Sequence, residues 1–104
     1  MTRGDFVVAD DQDNVIARTH TIVHENVVNM VDVWTHPGHR RQGHARHLLT
    51  TVLATYGPDV EYTLAVGREN MAAVALYRSL GFVETGDFIM TRAPAHGVRD
   101  PADR

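Results

Sequence analysis

The most constraining feature of this sequence is a short polar loop between two segments of different periodicity. Before the loop, Val27 to Trp34 is apolar and rich in β-branched residues, which is typical of a strand. After the loop, Ala45 to Tyr56 repeats apolar side chains at spacings of three and four, which is typical of an amphipathic helix. The chain must therefore fold around a strand, a loop that contains Gly43, and a helix that ends at Gly57.

Length and composition allow one domain to be built around this unit. A chain of 104 residues has room for one hydrophobic core. Hydrophobic residues make up 43% of it and charged residues 22%, as in ordinary globular proteins. We expect a single domain over residues 1–93 and a loose polar tail over residues 94–104.

Charge and cysteine content exclude several classes of function. The net charge of -3 offers no field that gathers nucleic acid or an anionic membrane, so neither is expected as a partner. No apolar run approaches the roughly 20 residues that cross a bilayer, and the polar opening Met1 to Asp5 is unlike a secretory leader. We therefore expect a cytoplasmic protein. The absence of cysteine excludes an acyl-cysteine intermediate.

The remaining segments alternate between strand and helix signals. Strands are predicted at Phe6–Ala9, Val15–Val23, Glu61–Val66, Phe82–Glu84 and Phe88–Thr91, and a second helix at Asn70–Leu80. Short turn-forming segments separate the first three strands, so we expect these to pair antiparallel, with Val27 to Trp34 in a central position. The predicted fold class is α/β in the α+β sense, with a mixed, mostly antiparallel sheet and two packed helices.

The loop itself has the chemistry of an anion site. Backbone N–H groups at a helix start converge on one point and face outward from the positive end of the helix dipole, an arrangement that binds pyrophosphate. Gly43 lets the backbone approach phosphate oxygens, and Ala45 is the smallest side chain that still favours a helix. Arg40 and Arg41 add positive charge at the rim of the loop.

Two motifs resemble a known family. Arg40-x-x-Gly43-x-Ala45, placed between a strand and an amphipathic helix, looks like the acyl-CoA signature of the Gcn5-related N-acetyltransferases, the GNAT family. The stretch from Asn70 to Tyr77, which reads Asn-x-x-Ala-x-x-Leu-Tyr and is followed by Gly-Phe, resembles the second signature of that family. The resemblance covers most of the chain. It implies a truncated GNAT-like fold, acetyl-CoA (coenzyme A) as acyl donor, and direct transfer of the acetyl group to an amine acceptor.

The resemblance also implies which residues hold acetyl-CoA. Amides of the cofactor loop are expected on its pyrophosphate, and the backbone of the preceding strand end is expected on its pantetheine arm. The predicted set is Val33, Trp34, Thr35, Arg40, Arg41, Gln42, Gly43, His44, Ala45, Arg46, Asn70, Ala73 and Tyr77. Asn70 is equally favoured as the N-cap of the second helix, and the two roles are compatible.

Catalytic residues follow only in part. By resemblance Tyr77 points toward the cofactor sulfur and protonates the departing thiolate, which suits a phenol with an ordinary pKa of about 10. A core aromatic residue is the alternative. Some family members place a glutamate, as general base, at the position that Ala65 fills here. The carboxylates nearby are Asp32, in an apolar strand where burial would favour its protonated form, and Glu25. A chain of waters is the alternative to both.

Seven histidines invite a metal hypothesis, which the sequence disfavours. His36-x-x-His39 and His44-x-x-His47 both fall within the predicted cofactor loop and its helix. Neither a cysteine nor a cluster of carboxylates completes a ligand set around them. We therefore expect no metal.

The chain departs from the family before its first hairpin. Full-length members carry a strand and one or two helices there, whereas almost nothing precedes Phe6. The acceptor side is therefore expected to be open, either to admit a large acceptor such as a protein amine or to be completed by a second subunit. We expect a homodimer, because a small sheet with an uncovered face leaves apolar surface in water.

Two other functions remain open from the sequence. A non-catalytic acyl-CoA-binding or regulatory module would keep the phosphate cradle and lack both an acceptor wall and a clear base. A structural oligomerisation domain would bind no ligand, and CoA would then leave its melting curve unchanged.

Overall fold

The computed structural model describes residues 1–95, in which six strands form one sheet. The strands are β1 (Thr2–Ala9), β2 (Val15–His24), β3 (Val27–Thr35), β4 (Glu61–Ala65), β5 (Val83–Gly86) and β6 (Ile89–Arg92). The helices are α1 (His44–Tyr56) and α2 (Met71–Ser79). The strand order is β1-β2-β3-β4-β6-β5, with β3 and β4 parallel and the other pairs antiparallel. The predicted mixed fold with a central third strand is thus confirmed.

The first strand is longer than predicted. The expected strand started at Phe6, whereas β1 starts at Thr2, which pairs with Val23 of β2. Thr2 to Asp5 is polar and carries no strand signal of its own, so the length of β2 sets the length of its partner. At the other end, Ala95 N–H donates to the Pro58 carbonyl at 2.7 Å, and the rest of the predicted tail, from residue 96, lies outside the described residues.

Both helices pack on the same face of the sheet. Each crossover, β3-α1-β4 and β4-α2-β5, moves in the same direction across the sheet, and right-handed crossovers then place both helices on one side. The shared core contains Val28, Met30, Leu49, Val52, Tyr62, Leu64, Tyr77, Phe82 and Met90. Arg46 Nη2 also donates to Ser79 Oγ at 2.9 Å, which joins the first turn of α1 to the last residue of α2.

The end of α1 holds the sheet edge through close contacts. The Tyr56 hydroxyl lies 2.7 Å from Thr21 Oγ1, and the Tyr56 ring meets Phe6 edge-on at 6.1 Å. A β-carbon on Gly4 would lie 2.7 Å from Thr21 Oγ1 and 2.8 Å from the Tyr56 hydroxyl, so glycine is required there. The contact between β1 and α1 therefore depends on a residue without a side chain.

The opposite face of the sheet carries no helix within residues 1–95. It presents alternate residues of each strand, among them Val7, which is 56% exposed, and Ile89, which is 46% exposed. The face is therefore open to solvent and accessible to another molecule.

Candidate active site

The sheet opens between β3 and β4. The two strands pair from Val27 with Glu61 as far as Met30 with Leu64, whereas β3 continues to Thr35. Beyond Met30, the edge of β3 that faces β4 therefore has backbone N–H and C=O groups without a strand partner among the described residues. A cavity of about 340 Å³ lies in this opening, lined by Asn29, Met30, Val31, Asp32, Val33 and Ala65.

A β-bulge in β3 shapes the opening. The register of β2 and β3 shifts between Arg18 and His20, so that Thr19 faces two residues of β3. Asp32 has the left-handed conformation, with φ 54°. The buried Thr19 hydroxyl donates to the Val31 carbonyl at 2.9 Å, which fixes the bulge. No sequence pattern predicts it.

The loop between β3 and α1 passes through a 3₁₀ turn, Pro37–His39, and two left-handed residues. Arg41 has φ 65° and Gly43 has φ 80°. Such alternation of backbone conformation turns successive N–H groups toward one side and makes anion-binding concavities. Arg40 Nε donates to the Thr35 carbonyl at 3.4 Å, which keeps this cation beside the end of β3.

Helix α1 begins without a side-chain cap. Gly43 occupies the N-cap position, where no side chain of the described residues accepts a hydrogen bond. The first intrahelical bond runs from His47 N–H to the Gly43 carbonyl at 3.0 Å, so the N–H groups of His44, Ala45 and Arg46 have no intrahelical acceptor. A β-carbon built on Gly43 would meet no atom within 4 Å, so the space there is open. The arrangement fits a pyrophosphate, which these N–H groups would bind together with the helix dipole.

Histidine rings line the loop as a ladder. Ring centroids are 6.0 Å apart for Trp34 and His36, 5.4 Å for His36 and His39, and 5.9 Å for His39 and His44. The rings meet edge to face, and His44 Nε2 also lies 3.1 Å from Gln42 Oε1. In the part of the chain that the structure describes, no group of three or more histidine, aspartate or glutamate side chains could hold a metal ion.

Tyr77 combines a core ring with a free hydroxyl. The residue is 5% exposed and its ring lies 6.1 Å from that of Phe82. Burial raises the pKa of the Tyr77 phenol, so the group stays protonated at neutral pH. Among residues 1–95 the hydroxyl has no hydrogen-bond partner. No side-chain oxygen in this range is both buried and without a partner, so the Tyr77 oxygen is accessible to solvent. Tyr77 does not line the cavity between β3 and β4, and its catalytic role stays a prediction.

Helix α2, in contrast to α1, begins with a side-chain cap. Asn70 Oδ1 accepts a hydrogen bond from Ala73 N–H at 3.3 Å, which confirms the N-cap role. Ala73 packs against the core. A contact of either residue with acetyl-CoA stays a prediction.

The two predicted carboxylates lie apart. Asp32 lines the cavity, but it is exposed, so the expected burial is wrong; the bulge turns this residue out of the regular pleat. Glu25 lies in the turn between β2 and β3, where its carboxylate is 3.9 Å from His24 Nε2. That turn is at the opposite end of β3 from the cofactor loop, so the structure does not bring Glu25 to the cavity. Ala65 provides no carboxylate on the β4 side.

The structure contains a histidine–carboxylate pair, one strand away from the cavity, that the sequence did not predict. His20 Nδ1 lies 2.5 Å from Asp5 Oδ1, and the two residues are partners across β1 and β2. His20 is in turn the partner of Val31, which lines the cavity. The sequence signal is weak, because two polar residues in strand-like segments become a pair only once the hairpin register is known.

A second cavity, of about 400 Å³, lies between α2 and the β5–β6 hairpin. Its walls include Met71, Val74 and Phe88, together with Arg68 and Arg78. None of the predicted cofactor-binding residues lines it, so its size alone does not mark the acyl-CoA site.

Comparison with known proteins establishes the family. Residues 2–84 match the acetyltransferase (GNAT) domain family. This chain belongs to that family, which confirms the resemblance drawn from the two motifs. Human N-acetyltransferase 8 is 31% identical over 90 residues, which cover 78% of this chain and 39% of that protein. The chain thus spans well under half the length of this curated relative.

Solved structures share the fold. A ribosomal-protein-alanine N-acetyltransferase of Escherichia coli has a TM-score of 0.80 at 24% identity, over 95% of this chain and 72% of that chain. A protein of Klebsiella pneumoniae described as an acyl-CoA N-acyltransferase has a TM-score of 0.77 at 22% identity, over 88% and 72%. A chimera of the Vibrio cholerae spermidine N-acetyltransferase has a TM-score of 0.71 at 26% identity, over 86% and 68%. No helix within residues 1–95 has the length and apolar character needed to cross a membrane.

Proposed function

We propose that this chain binds acetyl-CoA and moves its acetyl group directly to an amine acceptor. The observation that carries the proposal is that the uncapped start of α1 and the unpaired edge of β3 flank one opening in the sheet. The helix start suits a pyrophosphate, and the strand edge suits an amide-containing arm that hydrogen-bonds like an added strand. Family membership supports an acyl-CoA donor for the same site.

The residues of the chain then have distinct roles. Acetyl-CoA supplies an activated thioester. None of the 104 residues is a cysteine, so no thiol of the chain carries the acetyl group, and the amine attacks within a ternary complex. A backbone N–H near Thr35 stabilises the charge that develops on the carbonyl oxygen. Tyr77 donates its proton to the departing sulfur, and its raised pKa keeps that proton available at neutral pH.

The acceptor is proposed to be a small amine or a peptide or protein amine. The net charge of -3 suits a cationic acceptor, and the helix-free face of the sheet gives it access. Two solved neighbours are named for acceptors of different size, spermidine and the alanine of a ribosomal protein. A homodimer that covers the open face, a domain boundary at residue 93 and a cytoplasmic location stay predictions.

Melting the chain with and without CoA tests the binding step. CoA at about 100 times its dissociation constant should add about 2.7 kcal/mol to the free energy of unfolding. A thiol-release assay with acetyl-CoA and a panel of polyamines, amino acids, aminoglycosides and peptides then identifies the acceptor. A melting curve that millimolar CoA leaves unchanged would contradict the proposal and favour the structural oligomerisation domain.

A non-catalytic acyl-CoA-binding or regulatory module is the second candidate. Ala65 favours it, because this residue leaves the β4 wall of the cavity without a carboxylate. In an enzyme, Tyr77→Phe should lower kcat by about 100-fold and leave the Kd for CoA unchanged. A wild-type chain that CoA stabilises, but that releases no thiol with any acceptor, would be the module.

A further inference from the structure

One polar pair on the open face of the sheet has the geometry of a proton acceptor. Asp5 and His20 face each other across β1 and β2, and Asp5 Oδ1 lies 2.5 Å from His20 Nδ1. A carboxylate accepts hydrogen bonds, so Nδ1 carries the hydrogen, and the neutral form of the imidazole then has its lone pair on Nε2. Among the described residues no other side chain or backbone group bonds to the imidazole. Nε2 of the neutral imidazole is therefore not occupied by another group of the chain.

His20 lies one strand away from the opening between β3 and β4, and Asp5 lies on the next strand, β1. His20 is the cross-strand partner of Val31, and Val31 lines the cavity in that opening. Direct partners share one face of a sheet, with β-carbons about 4.5–5.5 Å apart, so the imidazole lies beside the Val31 side chain on the open face, although His20 itself does not line the cavity. The His20 side chain is 32% exposed, so a molecule on the open face can reach it.

Other titratable groups near the cavity are placed less well. Asp32 lines the cavity, but it is exposed in the bulge, and no hydrogen bond from the described residues fixes its carboxylate. Glu25 is at the far end of β3, and Ala65 has no titratable group. The imidazole, by contrast, is held by a bonded carboxylate, which fixes both its orientation and its tautomer.

We propose that His20 is the general base of the acyl transfer and that Asp5 is its positioning residue; this rests on the function proposed above. The amine nitrogen forms a bond to the acyl carbon, and the amine proton passes to His20 Nε2. The carbon–sulfur bond breaks, and the sulfur leaves with the electron pair and takes up the Tyr77 proton. The products are an amide and a thiol. The imidazolium then releases its proton to solvent, and the Tyr77 phenolate regains one from solvent. The Asp5 carboxylate stabilises the imidazolium in the meantime.

Within residues 1–95, few charged side chains occupy strand positions near the His20 imidazole. Arg3 on β1, Arg18 on β2 and Asp32 on β3 are the charged residues near the pair, and the Arg18 guanidinium lies over the Trp34 ring at 5.1 Å. Only the unprotonated imidazole accepts a proton, so kcat/KM should fall as the pH is lowered. That acidic limb of the pH profile should belong to His20.

Substitution of His20 tests the role directly. His20→Gln should lower kcat by about 100-fold or more, remove the acidic limb of the pH profile, and leave the Kd for CoA unchanged. His24→Gln is the matched control, because His24 is on the same strand and face but at the end away from the cavity, and it should behave like the wild type. Retention of kcat within about threefold in His20→Gln would overturn the proposal.

Two further measurements test the proposal even if the His20→Gln variant does not fold. Asp5→Asn, at a side chain that is 67% exposed, should keep the melting temperature and lower kcat by about tenfold or more; an unchanged kcat at every pH overturns the role. Imidazole nitrogen NMR shifts should show Nδ1–H for His20, and Nε2–H would overturn it without any activity assay. A wild type that transfers acetyl groups while His20→Gln keeps its kcat rejects only the base. A wild type that transfers to no amine rejects the proposed function as well.

Discussion

The starts of the two helices differ in how their N–H groups are satisfied. At α2 the Asn70 side chain accepts a hydrogen bond from Ala73 N–H, so the helix supplies its own acceptor. At α1 the N-cap is Gly43, which has no side chain and a left-handed backbone, and the three following N–H groups have no intrahelical acceptor. A side-chain cap at a helix start stabilises the helix. A helix start without a side-chain cap leaves its N–H groups available to bind an external anion.

The difference supports the proposed position of the cofactor site within a nearly regular fold. Both helices pack on the same sheet face and share one core, so packing does not distinguish them. What distinguishes them is the backbone before each helix, together with the opening of the sheet at the end of β3. The contrast therefore predicts that substitutions at the two starts affect different properties, binding at α1 and stability at α2.

The change that should break the contrast most is Gly43→Asp, which gives α1 a capping carboxylate. The carboxylate would occupy the N–H groups and repel phosphate, so the Kd for CoA should rise by about 100-fold, or about 2.7 kcal/mol, by isothermal titration calorimetry. Gly57→Asp is the control, because Gly57 also has a positive φ, 83°, and ends the same helix. It should lower stability and leave CoA affinity intact. A Gly43→Asp variant with wild-type affinity would remove the basis for a site at α1.

The second change, Asn70→Ala, should sharpen the contrast from the side of α2. Loss of the cap should cost about 1 kcal/mol and lower the melting temperature by about 4–8 °C in calorimetry. Asn70→Ser keeps a capping oxygen and should recover most of the loss. The contrary result would be an Asn70→Ala variant with an unchanged melting temperature and with CoA binding weakened by more than about tenfold. That result would show that Asn70 acts mainly as a cofactor ligand and that its cap adds little stability.

A third prediction concerns the buried phenols, one of which is in α2. Burial raises the pKa of both Tyr62 and Tyr77, and the Tyr62 hydroxyl donates to the Gly57 carbonyl at 2.6 Å. In the unfolded chain these phenols ionise near pH ~10, whereas in the folded chain they stay protonated to higher pH. The contribution of these phenols to the free energy of unfolding should therefore be constant below pH ~10 and fall above it, by up to about 1.4 kcal/mol per pH unit for each phenol.

Urea unfolding at a series of alkaline pH values measures this slope. Tyr77→Phe and Tyr62→Phe should each make it shallower, whatever they do to the stability at neutral pH. A slope that neither substitution changes would mean that other groups govern alkaline unfolding.

Much of the fold could be predicted because its elements carry strong periodic signals. The start of α1 was predicted one residue late, at Ala45, and β3 one residue short, at Trp34. Amphipathic and β-branched patterns of this length leave little choice of structure. The start of β1 could not be predicted, because Thr2 to Asp5 is polar and is held in the sheet only by pairing with β2.

The candidate site could be predicted only where backbone geometry defines it. Gly43 and Asn70 each indicate the character of a helix start directly from the residue type. The bulge at Asp32 and the bond between Asp5 and His20 depend on how strands are aligned, and a single step in register would separate each set of partners. The sequence therefore indicated carboxylates close to the loop as candidate bases, whereas the proposed base, His20, lies on the neighbouring strand β2.

The central claim, that the start of α1 holds acetyl-CoA, is tested most directly by a two-dimensional amide NMR titration with CoA. The largest shifts should occur at the N–H groups of residues 41–46, with smaller shifts along the free edge of β3. Shifts that are largest elsewhere, for example around the cavity between α2 and the β5–β6 hairpin, or no shifts at millimolar CoA, would contradict the account.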